Sequence, residues 1–185
     1  MLLSLRRLLP FASASRSEPP TASPAPRPMH PAWVVVLVST WLATACNVPL
    51  WQEVAQLPGQ GSLRGWGFAL AFALIVAAGN AALLSLLAWR WTLKPVITLF
   101  LLAAAGGAYF MLSYGVVIDR SMMVNVLLTD GREARELLSL RMLGAWLVLG
   151  VLPAVLLWRA RIAWAPPLRQ LRQNAIVFVA ACAVL

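Results

Sequence analysis

Of the 185 residues, 61% are hydrophobic and the mean hydropathy is +0.79, well above the roughly 45–50% apolar content of soluble domains, so the composition excludes a soluble globular protein and implies one embedded in a bilayer. The formal charge of +9 invites a nucleic-acid reading, but the arginines fall between apolar runs instead of on one dense basic face, a pattern that orients spans in a membrane. Cys46 and Cys182 and the lone His30 are too few and too scattered for a zinc box or a disulfide framework, so no metal site is expected and both thiols read as small buried apolar side chains.

In chain order, residues 1–31 carry Pro10, Pro19, Pro20, Pro24, Pro26, Pro28 and Pro31 among serines and arginines, a composition that predicts a disordered cytoplasmic leader. The short apolar start Met1–Phe11 resembles the opening of a signal peptide, but Arg6 and Arg7 break it and no clear cleavage site follows; initiation at Met29 is an alternative. The rest of the chain, 32–185, reads as one transmembrane domain. Its first span is expected over about 33–50, since roughly 20 apolar residues cross a hydrocarbon core. Ala43-Thr44-Ala45-Cys46 has the look of a lipoprotein box but lacks the leucine three residues before the cysteine, and further spans follow. Glu53–Arg64, with Pro58, Gly59 and Gly61, predicts a loop.

The second span is expected over 66–89, where Asn80 and Ser85 read first as groups that bond backbone or a neighbouring helix and only second as ligands. A basic turn, 90–94, leads to a third span over 96–118, whose Gly106-Gly107 allows another helix to come close. A fourth span covers 142–158. Arg159, Arg161, Arg169 and Arg172 with Pro166-Pro167 then predict a basic loop, and the apolar stretch 175–185 reads as a truncated fifth span. The fold class is thus all-α: an integral membrane helix bundle of four complete transmembrane helices plus a truncated fifth.

Alternate connections differ in charge. The leader, the 90–94 turn and the 159–172 stretch hold ten Lys and Arg, whereas Arg64, Arg120, Arg132, Arg135 and Arg141 make five on the other side. Because cytoplasmic loops carry the excess, the amino terminus is expected inside the bacterial inner membrane and the segment 119–141 on its periplasmic face. That segment holds four of the six acidic residues, Asp119, Asp130, Glu133 and Glu136. Within it Asn125, Thr129 and Glu133 recur every four residues, which at about 100° per residue lays an amide, a hydroxyl and a carboxylate along one helical stripe. The stripe suits a polar head group. Spacing alone favours an interfacial amphipathic helix, with Met122, Met123, Val126 and Leu127 in lipid and the charges solvated, and Gly131 weakens a continuous helix by about 1 kcal/mol relative to alanine.

Tyr109-Phe110, Tyr114 to Asp119, Met122 or Met123, Asn125, Thr129 and Glu133, with Asn47-Val48-Pro49-Leu50-Trp51 upstream and Lys94-Pro95 between, resemble in identity and order the membrane domain of bacterial lipid A phosphoethanolamine transferases. The resemblance covers roughly 32–185. It implies that Asn125, Thr129 and Glu133 bind the donor, phosphatidylethanolamine, with Glu133 on the ammonium and the other two on phosphate or glycerol oxygens. Tyr109 and Tyr114 then line the site or serve as interfacial belt aromatics. It further implies a zinc-dependent sulfatase-like catalytic domain, absent from this chain, that passes phosphoethanolamine to a lipid A phosphate and so weakens attraction for polymyxins and other cationic peptides. No catalytic residue, zinc ligand or nucleic-acid partner is expected within these 185 residues. The alternatives are a non-catalytic membrane scaffold or fragment without lipid-transfer activity and, last, a small transporter, which would need mid-membrane ionisable groups that the four main spans lack.

Overall fold

The computed structural model describes residues 28–59, 61–115 and 139–185. Apart from one bridge pairing Met29 with Ile162, the regular elements among them are helices: α1 (Pro31–Thr44), α2 (Val48–Gln56), α3 (Leu63–Leu86), α4 (Leu93–Tyr114), α5 (Leu140–Ala145), α6 (Leu152–Arg159) and α7 (Pro167–Cys182). A 3-10 turn, Ala45–Asn47, joins α1 to α2, and a π-helical turn, Trp146–Val151, joins α5 to α6. Four continuous stretches result, Pro31–Gln56, Leu63–Leu86, Leu93–Ser113 and Leu140–Arg159, each long and apolar enough to cross a membrane. The chain is an all-α, multi-pass membrane protein.

Several boundaries differ from the sequence expectation, each for a local reason. The first span continues through Glu53 to Gln56 instead of entering a loop. Pro49 stands in the first turn of α2, where its missing N–H is no loss. The Leu42 and Ala43 carbonyls near the break accept from Asn47 Nδ2 and Trp51 Nε1, each at 2.9 Å. The expected third span to Ile118 stops at Tyr114, because Gly115 takes a left-handed conformation (φ 63°) and donates its N–H to the Met111 carbonyl at 3.0 Å, a common helix ending; residues 116–118 lie outside the described residues. The expected basic loop 159–172 is in part helix, since α7 begins at Pro167. Pro166-Pro167 therefore starts a helix and Arg169 and Arg172 ride on it. Cys46 is buried as expected, whereas Cys182 is exposed at the end of α7.

Helix α4 is the axis. Leu93, Ile97, Leu101, Ala105 and Ala108, spaced by four, four, four and three residues, form its fully buried stripe, and α4 packs on one side against the first span and on the other against the fourth. Helix α3 lies between α1 and α7 and buries mostly small residues, Ala78, Ala81, Ala82 and Ser85, which allow close backbone approach. Lipid tails are as apolar as leucine, so helix association in a bilayer relies on such packing and on hydrogen bonds. Asn80 and Ser85 satisfy themselves on their own helix, donating to the Val76 carbonyl at 3.0 Å and the Ala82 carbonyl at 2.7 Å.

Most of the side-chain hydrogen bonds between helices among the described residues gather at the end of the bundle where residues 28–31, 87–93 and 159–167 meet, here the leader end. Lys94 Nζ donates to the Trp158 and Ala160 carbonyls, both at 3.1 Å, closing the end of α6. Trp158 Nε1 donates to Thr98 Oγ1 at 3.0 Å. The buried Gln170 and Asn174 both donate to the Ala88 carbonyl, at 3.2 and 2.9 Å, and Gln170 also donates to Asn174 Oδ1 at 2.9 Å. Met29 donates to the Arg161 carbonyl and accepts from the Ala163 N–H, pinning the start of the described chain to the α6–α7 connection.

Candidate functional site

The opposite, distal end holds the close of α4, the start of α5 and the connection between α2 and α3. Asn125, Thr129 and Glu133 lie outside the described residues. Tyr114 closes α4, and its side chain lies outside them too. Tyr109, one and a half turns before that end, shares a hydrogen bond of 2.6 Å with Ser139 Oγ. Ser139 also caps α5, its hydroxyl oxygen accepting from the Met142 N–H at 3.2 Å. Two helix ends are thereby fastened together: the α4 side from which the chain leaves for 116–138 and the α5 side where it returns. Of the two roles open to Tyr109, a belt aromatic and a lining residue, the geometry adds a third, a strut between the segment's two ends. Its ring also meets Phe110 edge-on at 5.7 Å.

One turn deeper, Gly106 gives the Trp146 indole its room: a Cβ there would stand 3.1 Å from Trp146 Nε1. Gly150 is tighter still, with Leu102 Cδ2 at 3.1 Å and the Leu101 carbonyl oxygen at 3.4 Å from where its Cβ would be. These two glycines let the fourth span lie close on α4 below the Tyr109–Ser139 pair. Around the rim, Trp51 meets Phe72 edge-on at 6.1 Å and Phe72 stacks on Phe68 at 5.9 Å, walling the distal end with aromatics where head groups and tails meet. A shallow cavity of about 520 Å³ beside it is lined by Leu57, Pro58, Ser62, Arg64 and Phe68, among others.

Sequence reasoning passed over Ser139. A serine directly before an apolar run is a helix-start signature, so its capping role was available; its bond to Tyr109 was not, because the partner is 30 residues away. Among the described residues no three His, Cys, Asp or Glu side chains gather into a metal site.

Four apolar spans, with α4 packed against the first and the fourth and bonded near its end to the start of α5, define a multi-pass membrane domain. The solved structure of the integral membrane lipooligosaccharide phosphoethanolamine transferase A (EptA) from Neisseria meningitidis has the same fold, with a TM-score of 0.70 at 19% identity over 85% of this chain and 30% of that one. The sequence matches the phosphoethanolamine transferase EptA/EptB family over residues 75–185, and the chain belongs to that family. Phosphatidylethanolamine transferase Mcr-2 of Escherichia coli is 33% identical over 135 residues, 72% of this chain and 24% of the relative. Phosphoethanolamine transferase EptA of Escherichia coli K12 is 30% identical over 125 residues, 68% of this chain and 23% of the relative. The chain thus spans about a quarter of the length of these curated relatives.

Proposed function

We propose that this chain is the membrane part of a phosphoethanolamine transferase, that it lies in the bacterial inner membrane with its amino terminus cytoplasmic, and that it holds phosphatidylethanolamine at the periplasmic face for transfer to a lipid A phosphate. The observation that carries this reading is the family match over 75–185, which includes Asn125, Thr129 and Glu133. In this reading the Glu133 carboxylate pairs with the lipid ammonium, an acceptor against a cation, while the Asn125 amide and Thr129 hydroxyl donate to phosphate or glycerol oxygens. The Tyr109–Ser139 bond holds the two ends of the segment in register, so that less ordering remains to be done when the lipid binds. The transfer chemistry, and the zinc that would lower the pKa of its nucleophile, belong to residues other than these. Capping an anionic phosphate with an amine lowers the outer surface's attraction for polymyxins and similar cationic peptides.

The test is lipid binding by the full 185-residue chain in detergent, with phosphatidylethanolamine compared against phosphatidylcholine. Glu133→Gln removes the charge and keeps the shape. A charge-assisted hydrogen bond contributes about 1.5–3 kcal/mol, so the variant is expected to bind phosphatidylethanolamine roughly tenfold to a hundredfold more weakly. Undiminished binding in the variant removes Glu133 from the site.

A further inference from the structure

At the connection from α2 to α3, Leu57, Pro58, Gly59, Ser62, Arg64 and Phe68 line the distal cavity of about 520 Å³, a volume within the roughly 300–1,000 Å³ of small-ligand sites. Its rim is fixed before any ligand arrives. Ser62 Oγ donates to the Gly59 carbonyl at 2.6 Å and accepts from the Gly65 N–H at 3.2 Å, and Gly59 turns the chain with a left-handed φ of 86°. The Ser62 hydroxyl is thereby engaged in both directions. The lining side chain left to meet a ligand is Arg64, exposed and without an ion pair or hydrogen bond to any described residue.

Arg64 stands where neither the helix nor the topology favours a cation. It lies in the first turn of α3, which holds no acidic residue, at the positive end of the helix dipole. In the proposed orientation it also lies outside, against the bias that keeps arginine in the cytoplasm. Glu53, the one carboxylate among the described residues, makes no ion pair with it. An anion in the cavity offsets both costs.

Below Arg64 the wall becomes apolar in the order a lipid needs. Phe68 and Phe72 follow at four-residue intervals, each about 6 Å deeper along α3, and their rings stack at 5.9 Å with 6° between planes, so they continue one face of the helix. A phosphate at Arg64 would be outermost, with its acyl chains running down over the two rings. None of the lining residues is a carboxylate that could hold an ammonium, which selects against a phosphatidylethanolamine head group. A phosphate monoester carries about −1.5 to −2 charge, more than a diester, and so gains more from a lone guanidinium fork.

We propose that this cavity is a second lipid subsite, separate from the donor segment, that takes a lipid bearing a phosphate monoester, with Arg64 on the phosphate and Phe68 against the acyl chain. A lipid A phosphate belongs to that class, so the subsite's role as the place of the acceptor rests on the proposed function, whereas the binding itself does not.

Native mass spectrometry of the full 185-residue chain in neutral detergent, titrated with phosphatidic acid, phosphatidylethanolamine or phosphatidylcholine of matched acyl chains, tests it. The wild-type chain is expected to retain phosphatidic acid over phosphatidylcholine. Arg64→Gln is expected to lose about tenfold in apparent affinity for phosphatidic acid, the loss of one charge-assisted hydrogen bond at an exposed position, and to retain phosphatidylethanolamine as before, whereas Glu133→Gln does the reverse. Equal retention of phosphatidic acid and phosphatidylcholine by the wild-type chain, or undiminished phosphatidic acid retention in Arg64→Gln, overturns the subsite and leaves the donor assignment standing. An equal fall for all three lipids in Arg64→Gln overturns it too, because Arg64 would then support the fold and not a ligand. So does inorganic phosphate displacing phosphatidic acid at equal concentration, since the cavity would then read a free phosphate and not a lipid.

Discussion

Lys94 shows how far a residue's role can lie from its neighbours in sequence. The Lys94-Pro95 pair is visible in the sequence as part of a resemblance, yet nothing local says what the ammonium does. Its acceptors are the Trp158 and Ala160 carbonyls, 64 and 66 residues further on. Carbonyls at the end of a helix have no intrahelical donor and sit at the negative end of its dipole. A lysine from the neighbouring helix satisfies two such groups and also faces the Trp158 ring at 5.7 Å. Hydrogen bonds from a charged donor are stronger than neutral ones, so Lys94→Ala is expected to destabilise the chain by about 2 kcal/mol, partly discounted because the site is only half-buried. Lys94→Arg, which keeps donors and charge, should recover much of that loss. Thermal unfolding in detergent measures both, and an unchanged midpoint in Lys94→Ala contradicts the fastening role. Tyr109 was legible as an aromatic at the head-group level but not as one half of a bond to Ser139, for the same reason of distance along the chain.

At the scale of elements, the fourth span was legible as a hydrophobic run and its interior was not. Pro153 has no N–H, so in a regular helix the Leu149 carbonyl would lack its donor. The chain widens there into a π turn, in which the Leu152 N–H reaches back to the Leu147 carbonyl, and the Leu149 carbonyl accepts from Trp41 Nε1 on α1 at 3.1 Å. Prolines are tolerated in spans when a neighbour supplies the missing bond in this way. It follows that Trp41 and Pro153 are coupled. Trp41→Phe alone leaves a carbonyl without a donor, a loss of about 1–3 kcal/mol. In the Pro153→Ala background the helix supplies its own N–H, so the same Trp41→Phe change should cost much less. A double-mutant cycle on thermal stability reads this directly, and additive losses would show that the indole and the proline act separately. The boundary at Pro167 belongs to the same scale. Paired prolines read as a breaker until Gln170 and Asn174 are seen anchoring the helix that follows, a long-range contact that no local pattern announces.

For the whole molecule, the number of spans and their alternation followed from hydrophobic run lengths, because a bilayer demands about 20 apolar residues wherever a chain crosses it. The four candidate spans place Gly61 at the distal end and Trp91 at the leader end of the bundle, which settles which connections share a side. Which side faces the cytoplasm is a separate question, on which the charge of the connections bears and helix packing does not. Ten Lys and Arg on the leader side against five on the other predict a cytoplasmic leader end, since positive charge is retained on that face. Alkaline phosphatase, which is active only outside the cytoplasm, should therefore be active when fused after Gly61 or Gly131 and inactive after Trp91. The opposite pattern would leave the bundle intact but turn the 116–138 connection inward. Phosphatidylethanolamine held there would then be separated from any periplasmic acceptor by the full thickness of the membrane, and the donor role proposed for Asn125, Thr129 and Glu133 would have no reaction to serve.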